Sequence, residues 1–574
     1  MRIDTRPLPP QLPDLGDLPP LLTRLYAARG VKSKDELSHS LSQLAPWHLL
    51  KGIDNAVELL LQARQTQQRL LVVGDFDADG ATASVVAILG LRALGFNQVD
   101  YLVPNRFEYG YGLSPAIVEV AKSRQPDWLI TVDNGISSLE GVATAKAASL
   151  SVLITDHHLA AAELPMADAL VNPNQPGCPF PSKALAGVGV IFYVLLALRA
   201  KLREIGEFND KPAANLAELL DLVALGTVAD VVPLDANNRI LVQQGLLRIR
   251  AGFCRPGLAA LLEIAGKDAK GIRASDLGFI LGPRLNAAGR LDDMSLGIEC
   301  LLSEDPFQAK EMAAELDGLN RDRRSIEQGM QREALAQLKE LDSENLPFGL
   351  CLFDKDWHQG VIGILAARLK ERYHRPCIAF ADAGDGQLKG SARSIAGFHI
   401  RDALEAIATA HPMLIEKFGG HAMAAGLSLK QQNFAAFSRA FDQEVRRVLK
   451  ADDLTAHLCT DGTLSAEELV LPLAQQLNAA GPFGQQFPEP LFHGVFKVKN
   501  QRLVGERHLK LQLCTLCGRV ELDAIAFSID RSQWPNQQVT QVQIAYHLDI
   551  NHYRGHQTLQ LLVVHIAPHL PSSP

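Results

Sequence analysis

Between Gln68 and Asp230 the chain alternates apolar runs of strand length with alanine-rich stretches of helical length. The runs are Arg69–Val73, Val99–Val103, Trp128–Val132 and Val152–Thr155, and the stretches between them include Ala81–Leu94 and Ser138–Ala148. Short, nearly continuous apolar strands are those buried on both faces, and consecutive parallel strands need a crossover long enough to hold a helix. The pattern therefore predicts an α/β fold with a doubly wound parallel sheet. Residues 213–225 and 239–265 carry Leu/Ile/Ala periodicity and read as further helices. From about Asp305 to Glu344 the chain is charged and helical without a strand signal, which predicts a long connector helix. A second α/β stretch runs from Phe348 to about Leu449. The remainder, from about Ala451, opens helical and then becomes a series of short strands with turn residues between them, the pattern of a small β-barrel.

The chain's 574 residues have room for roughly three or four domains at about 150 residues each. With 47% hydrophobic and 21% charged residues, its composition excludes collagen-like, coiled-coil and wholly disordered chains. Apolar stretches such as Val190–Leu198 are too short to cross a bilayer, so no membrane association is expected. The first twenty residues have many prolines and no apolar core, and read as a poorly ordered lead-in rather than a targeting segment. Eight cysteines are scattered except for Cys514 and Cys517, which lie in a strand-like run and read as two strand residues rather than metal ligands. Such usage fits a reduced, cytoplasmic compartment. The net charge of −8 excludes a chain that is basic throughout but not a local basic groove.

The most informative run is Gly74-Asp75-Phe76-Asp77-Ala78-Asp79-Gly80, directly after the first apolar run. Two like charges 4 Å apart repel by about 4 kcal/mol at an effective dielectric near 20, so three alternating carboxylates need a cation, protons or full solvation. The opening D-x-D-x-D-G matches a calcium-binding EF-hand. The twelfth position, however, is Val86 instead of Glu, and a strand precedes the run instead of a helix. A solvated acidic turn is the other plain alternative for the run taken alone. It has company: Asp133 follows the third apolar run, Asp156-His157-His158 follows the fourth, and Asp230 ends a helical segment. In open α/β sheets, ligand sites gather past the C-terminal ends of the strands. Carboxylates with one or two imidazoles and no cysteine suit Mn²⁺ or Mg²⁺ rather than a structural zinc. Isolated histidines such as His48 and His374 carry no role in this reading.

DFDADG, VDNG, TDHH and GTVAD, in this order and spacing, resemble the four motifs of the DHH phosphoesterases. PNRFEYGYGLSP (104–115), GPRLNAAGR (282–290), DWHQGVIGILAARL (356–369), GSARS (390–394) and FGGHAMAAG (418–426) narrow the resemblance to the bacterial single-strand-specific exonucleases of that family, from about residue 50 onward. The resemblance implies a division into an N-terminal segment (1–50), a DHH phosphoesterase domain (51–304), a helical connector (305–345), a DHH-associated domain (346–450) and an OB-like single-strand-binding barrel (451–574). It implies that Asp77, Asp79, Asp133, His157 and Asp230 hold two Mn²⁺ or Mg²⁺ ions, with Asp133 as the bridge. His158 is then placed to contact the scissile phosphate or assist proton transfer, Asp156 to orient a ligand, and Asp75 at the edge of the site. Arg106, Tyr111, Ser391 and Arg393 match positions that grip the 5′ end and the bases near it, and Arg284, Asn286 and Arg290 match other substrate-side positions. The glycines around His421 would admit a phosphate to backbone N–H groups, although a loop with purely structural glycines is the plainer reading of that segment. Arg321, Arg323 and Arg324 read as a solvated face of the connector helix.

In the barrel, Lys497, Lys499, Arg502, Arg507, His508 and Lys510 interleave with Phe492 and Phe496. Basic residues among aromatics fit a single-strand groove, but each ring is equally well a piece of barrel core. The activity implied is 5′-to-3′ hydrolysis of single-stranded DNA to mononucleotides in recombination and repair, in a channel too narrow for a duplex. A single-stranded-DNA-binding protein and a RecQ-type helicase are the implied partners. Two alternatives stand beside it: a DHH-type hydrolase of short oligoribonucleotides or cyclic dinucleotides, and a non-catalytic scaffold that binds single-stranded DNA. The barrel disfavours the first of these, and the full ligand set the second.

Overall fold

A computed structural model of the chain, describing residues 1–105, 108–109, 112–210, 212–340, 346–505, 507–531, 533–553 and 555–569, is built around a five-stranded sheet. The strands β1 (Leu70–Val73), β2 (Val99–Leu102), β3 (Trp128–Val132), β4 (Ser151–Thr155) and β5 (Ala169–Val171) are all parallel, in the order β2-β1-β3-β4-β5. The predicted doubly wound sheet is present, with β5 as one strand more than the sequence pattern gave away. Central β1 and β3 are buried at every position, whereas edge strand β2 exposes Asp100. On one face, Leu71, Val73, Leu129, Val152 and Ile154 pack with Ile117, Val118 and Val142 of two short helices. On the other lies α1 (Ala78–Ala93), which is apolar all round because α2 (Gly187–Glu204) and α3 (Leu220–Ala229) cover its outer side.

The helices expected over 213–225 and 239–265 differ in detail. The first begins as a tight turn at Leu216–Leu219 and continues as α3, so that Asp230 caps its C-terminus. The second is two helices, Ala236–Arg250 and Pro256–Ile264, interrupted at Gly252, where φ is +80°, and restarted by Pro256 at the first helical position. The N-terminal lead-in is ordered, contrary to expectation. The Arg2 N–H donates to the Ala456 carbonyl and the Arg6 N–H to the Thr460 carbonyl, while the helix Pro20–Ala27 buries Leu21, Leu22, Leu25 and Tyr26.

The chain divides into two compact units, the larger holding Ile3–Gly289, Asp293–Ala314 and Cys459–Pro574. The smaller comprises Met1–Arg2, Arg290–Asp292 and Glu315–Leu458. Its sheet is formed by β6 (Leu350–Asp354), β7 (Cys377–Gly384), β8 (Gln387–Arg393), β9 (Lys417–Gly420) and β10 (Ala424–Lys430), in the order β9-β10-β8-β7-β6. Only the β6–β7 pair is parallel. Phe380, Phe437 and Phe441 fill its core. Helix α4 (Gly282–Leu291) and the 35-residue helix α5 (Pro306–Glu340) each cross the division between the units. Arg323 on α5 departs from the expected solvated face. It is buried, donating to Glu327 Oε2 at 2.8 Å and Asn320 Oδ1 at 2.9 Å, whereas Arg321 and Arg324 are exposed.

In the larger unit, β11 (Phe492–Val504), β12 (His508–Thr515), β13 (Glu521–Ala526), β14 (Gln541–Tyr553) and β15 (His556–Pro568) close into a barrel in the order β11-β12-β13-β15-β14. Phe492 and Phe496 are core side chains, packed on the buried Tyr546 ring at 6.3 and 5.7 Å, and offer no face to a nucleobase. Lys497, Lys499, Arg502 and Arg507 are exposed, and Lys510 lies 3.4 Å from Asp523. Cys514 is a strand residue, but Cys517 sits in the turn beyond β12, correcting its reading as a second strand residue.

Candidate metal centre

The chain leaves β1 toward one edge of the sheet and returns to place β3 on the other side of β1, so the loops after these neighbouring strands diverge and open a crevice at their C-terminal ends. Asp75, Asp77 and Asp79 lie on the loop and first turn after β1, Asp133 directly after β3, and Asp156-His157-His158 directly after β4. Asp230 arrives from the C-terminus of α3. Side chains up to 155 positions apart in sequence thus meet at one point of the sheet.

Local geometry explains why these residue types sit where they do. Asp77 caps α1, one carboxylate oxygen accepting the Gly80 N–H at 3.0 Å. Gly80 is required because a Cβ there would stand 2.5 Å from the Asp75 carbonyl oxygen. Asp79 is 1% exposed, and its oxygens accept the Gly187 and Val188 N–H groups at 2.6 and 3.0 Å, at the N-terminus of α2. Asp133 adopts φ +61°, a left-handed conformation that Asp tolerates better than most residues, and a Cβ on Gly187 would come within 2.5 Å of the Asp133 Cβ.

His157 Nε2 lies 3.1 Å from Asp133 Oδ1 and 3.5 Å from Asp230 Oδ2. Asp230 Oδ2 is buried and makes no hydrogen bond. Three overlapping groups place their ligand atoms within 4.8 Å of one another: Asp75, Asp77 and Asp133; Asp79, His157 and Asp230; and Asp133, His157 and His158. Asp133 and His157 each belong to two of them. Burial, and then the charge of Asp77, pushes the Asp79 carboxyl up to about 7 despite its two backbone donors. Burial first, and then the neighbouring carboxylates led by Asp79, holds Asp133 and Asp230 well above the usual range. Such crowding of buried carboxylates is stable only with protons or cations among them. Oxygen donors with imidazole nitrogen match the preferences of Mn²⁺ and Mg²⁺.

Asp156 does different work. Its Oδ2 accepts the Ile136 N–H at 2.8 Å, while Oδ1 accepts the His157 and His158 N–H groups and meets His158 Nδ1 at 2.8 Å. For both side chains burial opposes the charged form, but the hydrogen bond and mutual attraction prevail, lowering the Asp156 carboxyl and raising the His158 imidazole. This pairing engages Nδ1 of His158. Several supporting residues escaped the sequence reading. Buried Asn134 donates to the carbonyls of Val73 and Val132, fastening the ends of β1 and β3 at 3.0 and 2.9 Å. Asn172 and Asn174 donate to the carbonyls of His158 and His157. The asparagine beside Asp133 and the paired asparagines after β5 were the only signals, and neither says which carbonyl it reaches.

The expected substrate-side residues divide. Asn286 Oδ1 accepts the Ala78 N–H at 2.8 Å, so it braces the acidic loop, and buried Arg284 donates to the Ile280 carbonyl one helical turn away. Arg290, Ser391, Arg393 and His421 belong to the smaller unit. There Arg290 donates to the Gly360 carbonyl, and Arg393 Nη1 donates to Ser391 Oγ at 3.1 Å on the same face of β8. The β8–β10 register sets Arg393 opposite Ala424, whose carbonyl accepts the His421 N–H, so these three residues share one end of that sheet. Gly420 has φ +143°, and a Cβ there would stand 2.5 Å from the Ala424 carbonyl oxygen, so at least this glycine has a structural reason. Arg106 and Tyr111 lie outside the described residues.

A parallel sheet carrying an acidic and imidazole cluster at its switch point, with a second α/β unit in the same chain, defines a phosphoesterase of the DHH class. Residues 69–227 match the DHH family, N-terminal domain, residues 346–447 the DHHA1 domain, and residues 460–565 the RecJ OB domain. The single-stranded-DNA-specific exonucleases RecJ of Salmonella typhimurium and Escherichia coli are 58% and 56% identical to it, in each case over 96% of both chains. Crystal structures of Thermus thermophilus RecJ in complex with Mn²⁺ and with Mg²⁺ superpose with TM-scores of 0.80 and 0.75 at 31% and 29% identity. They cover 100% and 99% of this chain, and 80% and 78% of theirs. The chain belongs to the RecJ family.

Proposed function

We propose that this chain is a divalent-metal-dependent exonuclease that hydrolyses single-stranded DNA to mononucleotides from the 5′ end. The observation that carries the reading is the meeting of Asp75, Asp77, Asp79, Asp133, His157, His158 and Asp230 at the sheet's switch point. Asp77, Asp79, Asp133, His157 and Asp230 would hold two Mn²⁺ or Mg²⁺ ions; Asp133 and His157 each belong to two ligand groups, and of the two only Asp133 has a pair of carboxylate oxygens that two ions could share. Two such ions, when bound, lower the pKa of coordinated water and offset the charge that gathers on the phosphate. Asp75 completes the acidic wall nearest β1. Asp156 orients His158, whose Nε2 donates to the scissile phosphate, and the raised imidazole pKa keeps that proton in place to higher pH than in free histidine.

The residues that grip the strand are assigned to Arg106, Tyr111, Arg284, Arg290, Ser391, Arg393 and His421, with Asn286 acting through the acidic loop. Segment 51–304 cuts, 346–450 holds the 5′ end, and 451–574 holds the outgoing strand through Lys497, Lys499 and Arg502. Single-strand-binding protein and a RecQ-type helicase supply the substrate, in the cytoplasm, during recombination and repair. No helix among the described residues is long and apolar enough to cross a membrane. The test uses strands labelled at either end, single or annealed, with Mn²⁺ or EDTA. Labelled mononucleotide should leave the 5′-labelled single strand at once and the duplex not at all, with EDTA abolishing release. Early release of the 3′ label, or equal rates on duplex, would overturn the assignment.

A further inference from the structure

The residue after Asp230 is held in a backbone conformation its type rarely adopts. Val231 has φ +62°, disfavoured for a β-branched side chain, and it is 61% exposed, so burial does not account for it. Backbone strain of this kind collects at ligand sites. Phe279, which lines the same cavity, is 80% exposed and lies on a π-helical turn at Leu277–Leu281, an irregularity that also favours functional sites. That turn is seated on the last turn of α3: a Cβ on Gly278 would come within 3.0 Å of Val228, and one on Gly282 within 3.1 Å of the Ala229 methyl group.

Val228, Val231 and Phe279 line one cavity of about 420 Å³, whose other walls include Pro488, Leu491 and Gln485 from the stretch leading into the barrel. The volume is that of a small-molecule site, about 300–1,000 Å³. The walls are mainly apolar, with the ring of Phe279 uncovered and Arg6, Glu489 and His547 among the lining residues, a mixture of apolar surface and hydrogen-bonding groups that suits a flat heteroaromatic base. The cavity starts one residue from a candidate metal ligand.

We propose that this cavity receives one unpaired nucleobase of the strand whose phosphate lies at the metal centre, with Phe279 as the stacking face. The proposal rests on the nuclease reading above and adds to it a second source of single-strand selectivity. A base stacked and paired in a duplex cannot enter, whatever the width of the approach.

The test is a binding cycle that needs no hydrolysis. Fluorescently labelled single strands with hydrolysis-resistant phosphorothioate linkages, each with one abasic nucleotide at successive positions from the 5′ end, are titrated with the full chain in Mn²⁺ and read by anisotropy. At one position the missing base should raise the Kd of the wild-type protein by about 10-fold. Phe279→Ala should bind the intact strand about 10-fold more weakly and lose the penalty at that position, while Phe279→Tyr retains both. A flat scan, or an unchanged penalty in Phe279→Ala, would overturn the base pocket. Absence of nucleotide release by the wild-type protein with Mn²⁺ would instead strike the nuclease reading, and leaves the binding cycle to decide the pocket.

Discussion

The crevice above the parallel sheet and the wall of the barrel both carry many charges, and they treat them in opposite ways. In the barrel the rule is ordinary: Phe492 and Phe496 face inward while Lys497, Lys499 and Arg502 face water. In the crevice, Asp75, Asp79 and Asp133 are 5%, 1% and 2% exposed, close to one another and to Asp230. A protein gains nothing in folding from burying like charges together, so their placement points to a bound cation. Charge on the barrel is solvated and costs the fold little, whereas charge in the crevice is kept at the expense of the metal-free fold.

The sharpest way to break this contrast is Asp133→Asn, chosen because asparagine also tolerates the left-handed backbone there. If Asp133 is the ligand that both ions share, nucleotide release should fall by about three orders of magnitude. The metal-free thermal midpoint should rise at the same time, because asparagine folds without taking up the proton that the buried carboxyl needs. Loss of activity with a lowered midpoint would mean that Asp133 is a structural carboxylate.

The second prediction concerns pH. The Asp79 carboxyl is pushed up to about 7, and Asp133 and Asp230 are also raised, so in the metal-free protein these groups keep protons that the unfolded chain has already released. Their contribution to stability is complete below the unfolded carboxylate range, near pH 4, and is lost as pH rises through 7. Metal-free protein should therefore be more stable at pH 6 than at pH 8, by up to about 1.4 kcal/mol per pH unit for each proton retained. With saturating Mn²⁺ the slope should reverse, because the ion must displace those protons. Thermal melts with EDTA and with Mn²⁺ read both slopes, and parallel slopes would refute the competition.

The smallest effect belongs to the barrel. Replacing Lys497 and Lys499 together by alanine should leave the melting curve unchanged, weaken binding of a long single strand about 10-fold at 0.1 M salt, and flatten the salt slope by roughly 1.4. A stability loss instead would place these lysines in the barrel's packing.

The same contrast explains what was legible in the sequence. Acidic residues that follow a fully apolar strand are visible because such a strand has only one place to put its C-terminal loop, so DFDADG, Asp133 and TDHH could be placed before any coordinates. Asp230 was legible as a helix end. The bonds that set the site's geometry were not. Gly187 reaches Asp79 across 108 positions and Asn286 reaches Ala78 across 208, contacts without a local pattern. The barrel rings were ambiguous for another reason, since alternation along a strand distinguishes two faces but not which of them is the core. Arg323 fell on the wrong side because a charged helical stretch conceals a buried arginine, whose partners Asn320 and Glu327 are themselves buried on the same helix.

Counting bound ions decides whether these carboxylates and imidazoles hold a pair of cations. Equilibrium dialysis of the full chain against Mn²⁺, with metal read by mass spectrometry, should find two ions per chain in the wild type and at most one in Asp133→Asn. A wild-type count of one or none, or two ions retained in the variant, would contradict the account.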